Sequence, residues 1–304
     1  MKLQAAETVG SLLEEARELL EAAELPGSAR DAGWLLAGLL GDRCWALALE
    51  PGRSVSREVA ERFRALLARR LRREPLQHLL GWEEFCGLRL RVTPEVLIPR
   101  PETELLVEWA VEICHGLTPE APTGPGGPPA VSRRVAIDLG TGSGAIACAL
   151  ATRIVGLVVI GVDCSARALA VAEDNVRTLG LGSQVRLARG DLFEPVAELA
   201  GTADLLIANP PYIPSGLIGS LPPEVRDWEP TLALDGGPDG MVVHRRIIAG
   251  APAILRSSGW LLMELGEGQA EPLTRALEGS EAFDRMTVRR DLAGVERMIG
   301  ARRR

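Results

Sequence analysis

The chain has 304 residues, of which 46% are hydrophobic and 25% charged, with a net charge of −7. Its length favours one large domain plus a smaller one. Its apolar runs are too short for a membrane span of roughly 18 to 20 residues. Its net negative charge disfavours a broad nucleic-acid-binding face. Because the opening MKLQAAETVG lacks the apolar core of a signal peptide, we expect a cytoplasmic protein.

The first quarter of the chain predicts a series of helices. Apolar residues recur with a period near 3.6 after Thr8, a candidate N-cap, and again between Ser28, a second candidate cap, and Gly41, a predicted stop. A third amphipathic segment is expected to end at Pro75, because proline cannot continue a helix. We therefore expect residues 1–75 to form a small helical domain.

The next segment, residues 76–100, changes pattern. Apolar and polar residues alternate in LRLRV (88–92) after Gly87, which predicts a β-hairpin linking two domains. Pro101 then suits the first position of a long helix, whose early glutamates complement the positive end of the helix dipole.

The remainder, residues 101–304, predicts a second domain. A Gly/Pro-rich stretch, 116–132, is expected to be a surface connector. After it, apolar runs rich in Val, Ile and Leu alternate with turns and helical segments, which is typical of parallel strands buried on both faces. We expect an α/β fold with a doubly wound, mostly parallel sheet and a ligand at the carboxyl ends of its strands.

The cysteines give no sign of a metal site or of disulfides. They are odd in number and widely spaced, without a Cys-x-x-Cys pair or a histidine at ligand spacing. We expect reduced, buried thiols and no metal. The positions are Cys44, Cys86, Cys114, Cys148 and Cys164.

A glycine-rich turn follows the first predicted strand of the second domain. In IDLGTGSGAIA (137–147), Gly140, Gly142 and Gly144 allow a tight turn and a close backbone approach to a ligand, and the next helix offers free N–H groups. Through Ala145 the stretch also fits a dinucleotide-binding pattern, so a nicotinamide enzyme remains an alternative at this point.

Two acids end the next two predicted strands. Asp163 closes LVVIGVD, where a carboxylate would accept both hydroxyls of a ribose. Asp191 follows the third strand and is placed for the edge of an adenine, with Leu192 packing on the ring face. Capping of helices also explains single acids at such positions, but a glycine turn and two acids at three consecutive strand ends favour one binding site.

The fourth predicted strand ends in NPPY. The side-chain oxygen of Asn209 and the backbone carbonyl of Pro210 can accept one hydrogen each from a planar NH₂ group, which would orient a weakly nucleophilic nitrogen. Pro210 and Pro211 stiffen the loop because proline fixes φ. Tyr212, the only tyrosine, would supply a flat face for a planar group. Orientation alone can remove roughly 7 to 11 kcal/mol of a barrier, so no metal or strong base is required.

These motifs resemble a known family. The donor-binding motifs of class I S-adenosylmethionine methyltransferases resemble DLGTGSG (138–144), Asp163 and Asp191. The donor of that family has no pyrophosphate, which agrees with a glycine turn that lacks Lys and Arg. Four further stretches resemble the protein-(glutamine-N5) methyltransferases of peptide-chain release factors, also called HemK or PrmC. They are 75–108 with LIPRPETE, 209–214, 224–241 and 289–298.

The resemblance implies which residues bind the donor, S-adenosylmethionine, which would leave as S-adenosylhomocysteine. They are Gly140, Thr141, Gly142, Ser143, Gly144, Asp163, Leu192 and Asn209, to which the strand-end position adds Asp191. Leu192 stands where some members have Trp. The substrate glutamine would contact Asn209, Pro210, Pro211 and Tyr212, of which Asn209, Pro210 and Tyr212 are the predicted catalytic residues.

The resemblance further implies methylation of the Gln in the Gly-Gly-Gln motif of class I release factors, with the helical domain helping to grip that protein. We expect a monomer without direct contact to nucleic acid or membrane. The alternatives are a glutamine methyltransferase of a ribosomal protein and an adenine-N6 methyltransferase of nucleic acid, the latter disfavoured by the acidic balance. A noncatalytic donor-binding protein would have no use for the NPPY corner.

Overall fold

A computed structural model describes residues 7–25, 27–116 and 134–304 of the chain. The described residues form two compact units, one made of residues 7–82 and 222–228 and the other of residues 83–221 and 229–304. The predicted connector at 116–132 lies outside the described residues except for Gly116.

The helices and strands follow in chain order. The helices are α1 Val9–Ala22, α2 Ser28–Leu40, α3 Cys44–Leu47, α4 Arg57–Leu71, α5 Leu76–Leu80, α6 Pro101–Gly116, α7 Ala145–Arg153, α8 Ala166–Thr178, α9 Pro223–Arg226, α10 Val242–Ile254 and α11 Ala270–Gly279. The strands are β1 Trp82–Phe85, β2 Leu88–Arg91, β3 Arg134–Leu139, β4 Leu157–Asp163, β5 Val185–Arg189, β6 Ala203–Ala208, β7 Leu255–Glu264, β8 Phe283–Arg290 and β9 Glu296–Arg303. Among the described helices, none has the length and apolar composition to cross a bilayer.

The helical unit begins as its sequence predicts, with one correction. The Thr8 side chain accepts the backbone N–H of Ser11, and the Ser11 side chain accepts the backbone N–H of Thr8, which makes a capping box at the start of α1. Ser28, however, is wrong as a cap. Gly27, at φ 76°, precedes α2, and the Ser28 hydroxyl donates backwards to the Leu25 carbonyl over 2.8 Å.

The third predicted helix is shorter than expected, and the segment after it is partly helical. Helix α4 ends at Leu71 instead of continuing to Pro75, because Arg73 adopts a positive φ of 67°. Pro75 then precedes α5, so the predicted linker 76–100 opens with a helix. Its hairpin is present, with Cys86 and Gly87 both at positive φ between β1 and β2, as a two-residue hairpin turn requires.

A buried cation ties the helical unit together. Arg70 on α4 is 5% exposed and donates to the Asp31 carboxylate of α2 over 2.8 Å. It also donates to Glu224, at the start of α9, over 3.3 Å. Since a buried guanidinium needs paired acceptors, these contacts fix residues 222–228 within this unit.

The second unit is built on a seven-stranded sheet in the order β5-β4-β3-β6-β7-β9-β8. The first five strands are parallel, whereas β9 runs antiparallel to both β7 and β8. The predicted doubly wound, mostly parallel α/β fold is therefore confirmed. The antiparallel pair at one edge was not predicted, because β8 alternates buried and exposed residues without a continuous apolar run.

Helices cover both faces of this sheet. Neighbouring residues of β3 point to opposite faces, with Ala136 in the core that holds α6 and α7 and Ile137 in the core that holds α10 and α11. Helix α10 ends at Ile254, and β7 begins directly at Leu255. Both faces are thus buried, which leaves the strand ends as the place for a ligand.

The cysteines depart from the expectation of buried thiols. Only Cys114 and Cys148 are buried, Cys44 and Cys86 are partly exposed, and Cys164 is exposed. All five are free, and burial raises the pKa of the Cys114 thiol to about 11. Cys164 is exposed because it follows Asp163 directly at the open carboxyl end of β4.

Candidate active site

Register brings three predicted motifs to one edge of the sheet. Leu139, the last residue of β3, pairs with Val162 of β4 on one side and with Ala208 of β6 on the other. The residues that come next, the glycine turn, Asp163 and Asn209, therefore lie side by side. One cavity is lined by residues from all three segments, and Asp191 and Leu192 line it too.

The glycine turn is built by backbone conformations that favour glycine. Gly140, Gly142 and Gly144 have φ values of 75°, 55° and 78°, and the Gly140 N–H donates to the Val162 carbonyl over 2.8 Å. A Cβ on Gly140 would meet open space, but one on Gly144 would lie 3.2 Å from the Ala172 Cβ. Gly144 serves helix packing and does not line the cavity, whereas the residues at positions 140 to 143 do.

Asp163 braces the turn as well as facing the cavity. Its Oδ2 accepts the Gly142 N–H over 2.9 Å, and its Oδ1 accepts the Ser165 N–H over 2.8 Å. A carboxylate offers about four lone-pair positions, so acceptor capacity remains for two hydroxyl groups. The carboxylate therefore couples the shape of the turn to the place where we predict a ribose.

The predicted adenine end carries an ion pair that sequence reasoning missed. Asp191 is exposed, and its Oδ2 accepts a hydrogen bond from Arg246 of α10 over 2.7 Å. Leu192 adopts φ 52°, an uncommon conformation for a residue with a Cβ, and lines the cavity next to Asp191. One oxygen of Asp191 is thus taken by Arg246, which leaves the other for a ligand.

The NPPY corner lies on the same cavity. Asn209, Pro210 and Pro211 line it, and Pro210 is buried. Within the residues that the structure describes, neither the Asn209 Oδ1 nor the Pro210 carbonyl accepts a hydrogen bond, whereas the Asn209 Nδ2 donates to Thr103 over 3.1 Å. The two predicted acceptors are therefore open.

Tyr212 is held in place by contacts on the side of the loop away from the cavity lining, and its predicted role as a flat face for the substrate stays a prediction. It does not line the cavity; its hydroxyl is directed to the buried Glu264, and burial raises the pKa of that hydroxyl well above its usual value. The loop after it is rigid. The Gln269 side chain donates to the Tyr212 carbonyl over 2.9 Å, and the Ile213 N–H donates to Leu234 over 3.0 Å.

Thr103 and Glu264 complete the corner through a contact that was not predicted. The Thr103 hydroxyl donates to the Glu264 Oε2 over 2.6 Å. The two residues are 161 positions apart and are 4% and 1% exposed. The one local signal was the acid that ends the apolar run WLLME of β7, because carboxylates are rarely buried without a purpose.

A second missed pair joins two cavity walls. Arg100 donates to both oxygens of Glu229, over 2.8 and 2.6 Å. Pro99 and Pro230, next to these residues in sequence, both line the cavity. This ion pair, in which Nη2 of Arg100 contacts both carboxylate oxygens, therefore holds residues 99–101 against the segment that follows residue 229.

Asp138 lies beneath the glycine turn without any exposure to solvent. Its Oδ2 accepts the Thr141 hydroxyl over 2.6 Å, and its Oδ1 has no partner among the described residues. Burial raises the pKa of the Asp138 carboxyl to about 7, with the Asp163 charge adding to the increase and the Thr141 hydrogen bond opposing it.

We expect Asp138→Asn to remove part of the pH dependence of stability. Between its unfolded pKa near 4 and its folded pKa of about 7, Asp138 holds a proton in the folded protein and releases it on unfolding, so its contribution to stability falls as pH rises through 7. The free energy of unfolding, measured with denaturant from pH 5 to 8, should rise for Asp138→Asn relative to the wild type as pH increases. Parallel stability curves would contradict this.

The residues that line the cavity offer no free cation for a phosphate group. Arg246 is the single basic side chain among its lining residues, and Asp191 neutralises it. A dinucleotide would bring a pyrophosphate without a cation to meet it. Within the described residues, no group of three or more His, Cys, Asp or Glu is arranged to hold a metal, and the expectation of a metal-free enzyme stays a prediction.

Comparison with known proteins gives two matching family models. Residues 11–81 match the PrmC N-terminal domain, and residues 128–216 match the methyltransferase small domain. The release factor glutamine methyltransferase of Geobacter sulfurreducens is 38% identical over 97% of this chain and 96% of its own length. That of Cereibacter sphaeroides is 39% identical over 93% and 94%.

Solved structures share the fold at lower identity. The hMettl16 catalytic domain in complex with a MAT2A 3′UTR hairpin superposes with a TM-score of 0.55 at 19% identity, over 78% of this chain and 81% of that one. At this identity the match supports the fold of the sheet and its helices, and no more.

Proposed function

The chain belongs to the release factor glutamine methyltransferases, and we propose that it transfers a methyl group from S-adenosylmethionine to the side-chain amide nitrogen of the glutamine in the Gly-Gly-Gln motif of class I peptide-chain release factors. Relatives that share 38 to 40% identity over three quarters or more of this chain are named release factor glutamine methyltransferases, which supports this proposal.

One observation carries the proposed chemistry. The Asn209 Oδ1 and the Pro210 carbonyl, without donors among the described residues, lie on the cavity that the glycine turn also lines. A primary amide has two N–H groups and a lone pair delocalised into its carbonyl. Two fixed acceptors would hold both hydrogens and increase electron density on the nitrogen that attacks.

The protein supplies orientation to this reaction. The prolines of the corner fix φ, and the hydrogen bonds from Gln269 and Ile213 keep the loop in place before substrate arrives. Such preorganisation can remove roughly 7 to 11 kcal/mol of the barrier. The new N–C bond forms as the S–C bond breaks, and the nitrogen then loses one proton.

We assign the donor to the cavity described above. S-adenosylmethionine, when bound, supplies an electrophilic methyl group on a sulfonium. The residues at positions 140 to 143 would hold its methionine end, Asp163 its ribose, and Asp191 with Leu192 its adenine. No metal is required, because neither a Lewis acid nor a metal-bound base is needed for this displacement.

The partner assignments are also part of the proposal. We propose that the helical domain contributes to binding of the release factor and that the enzyme acts as a monomer in the cytoplasm. We propose no direct contact with nucleic acid, because the net charge of −7 opposes phosphate binding.

Label from S-adenosylmethionine should enter an intact class I release factor. The purified enzyme is incubated with labelled donor and with the release factor, its Gln-to-Ala variant, ribosomal protein or DNA, and intact-mass analysis looks for one added methyl group. The Gln-to-Ala variant is the matched control. Label in ribosomal protein alone would favour the alternative glutamine substrate, and label in DNA would overturn the proposal.

A further inference from the structure

Two buried side chains behind the NPPY corner have no part in the chemistry described so far. Thr103, on the first turn of α6, and Glu264, at the end of β7, form a chain of hydrogen bonds that ends on Asn209. The distances are 3.1 Å from the Asn209 Nδ2 to the Thr103 Oγ1 and 2.6 Å from that oxygen to the Glu264 Oε2.

The direction of this chain is fixed by its proton count. An ionised Glu264 has no hydrogen, so the Thr103 hydroxyl must donate its single hydrogen to the carboxylate. The Thr103 oxygen then has only lone pairs left for Asn209, and it can accept from the amide NH₂ but cannot donate to the amide oxygen. The NH₂ group of Asn209 therefore faces Thr103, and its oxygen faces the other way.

We propose that Thr103 and Glu264 are positioning residues that hold the Asn209 amide with its oxygen toward the substrate nitrogen. This inference rests on the proposed function. The two orientations of an asparagine amide have nearly the same shape, so packing alone selects weakly between them. The flipped orientation would set an NH₂ against the NH₂ of the substrate and would remove one of the two acceptors.

A carboxylate is needed at position 264 because two hydroxyl groups point at it. Thr103 donates to it, and the Tyr212 hydroxyl lies close enough to favour its ionised form. A glutamine at this position has one acceptor oxygen and one NH₂, and with its NH₂ toward Thr103 the hydroxyl of Thr103 would lose its acceptor. Glu264 is therefore the anchor for both Asn209, through Thr103, and Tyr212.

The surroundings of Glu264 make this anchor sensitive to pH. Burial raises the pKa of its carboxyl to about 7, with the Glu102 charge adding to the increase, while Thr103, Tyr212 and Arg297 oppose it. His244 contacts the Glu264 carbonyl through Nε2 over 2.8 Å, and burial lowers the pKa of its imidazole. A protonated Glu264 would donate one hydrogen, and the Thr103 hydroxyl could then turn toward Asn209.

Thr103→Val tests the inference, with Thr103→Ser as the matched control. Valine keeps the shape but removes the hydroxyl, so both amide orientations lose their partner, and kcat should decrease by about tenfold, which corresponds to about 1.4 kcal/mol. Serine restores the hydroxyl and should restore most of kcat. The KM for the release factor and the Kd for S-adenosylmethionine should change less than about threefold, because neither depends mainly on amide orientation.

The double variant separates positioning from general damage. In an Asn209→Ala background, Thr103→Val should have little further effect on kcat, since the amide that it orients is gone. An additive loss, a wild-type kcat in Thr103→Val, or a Thr103→Ser enzyme as slow as Thr103→Val would overturn the inference. Absence of methylation by the wild type would instead refute the proposed function.

The pH profile of kcat gives a second readout that a purely structural role would not move. The wild type should gain activity as pH rises through about 7, as Glu264 loses its proton and becomes an acceptor for both hydroxyls. Glu264→Gln, with nothing to ionise, should lack this inflection and have a lower kcat above pH 7. An unchanged inflection in Glu264→Gln would contradict the assignment.

Discussion

Asn209→Ala is expected to reduce kcat by about 10² to 10³, because it removes one of the two oriented acceptors that meet the substrate amide. The variant keeps Pro210, the glycine turn and Asp163, so binding of S-adenosylmethionine should weaken less than about tenfold. Single-turnover methylation of the release factor, followed by intact mass, measures the first effect, and calorimetry measures the second.

Asn209→Asp provides the contrast. It keeps an acceptor oxygen toward the cavity, so it should lose less kcat than Asn209→Ala. It also puts a second oxygen against Thr103, whose hydrogen is already donated to Glu264. Its activity should therefore fall below that of the wild type. Turnover of Asn209→Ala equal to that of the wild type would refute the acceptor role.

The main features of the site could be predicted from local sequence, because each motif lies directly after a strand. Runs of Val, Ile and Leu predict buried parallel strands, and parallel strands align their carboxyl ends. The glycine turn, Asp163 and Asn209 therefore had to meet at one edge once the strands were placed. The parallel part of the sheet could be predicted from these runs, whereas the antiparallel pair β8 and β9 could not.

The supporting side chains could not be predicted in the same way. Thr103 and Glu264 meet only because β7 lies beside β6 and α6 packs against the sheet, a contact between residues 161 positions apart. Periodicity and turn signals describe neighbours in sequence, not such pairs. Arg246 with Asp191 and Arg100 with Glu229 were missed for the same reason.

The role of Tyr212 shows how a local interpretation can leave out tertiary contacts. From the motif, its ring was predicted to form a surface under the substrate. In the structure its hydroxyl lies near Glu264, so the surroundings of the ring include a buried carboxylate that NPPY does not reveal. Whether a planar group lies on the ring stays a prediction.

The largest loss of donor binding is expected from Asp163→Ala, in which Kd for S-adenosylmethionine should rise by more than about 100-fold. Two charge-assisted hydrogen bonds to ribose hydroxyls, at about 1.5 kcal/mol or more each, account for about 3 kcal/mol. The same substitution removes the acceptor of the Gly142 N–H and so loosens the glycine turn. Calorimetric titration with the donor measures the effect.

Asp174→Ala is the matched control, because Asp174 lies on α8, pairs with Arg177 and does not line the cavity. Donor binding within threefold of the wild type in Asp163→Ala would contradict a ribose site there, and equal losses in both variants would trace the effect to stability instead of recognition.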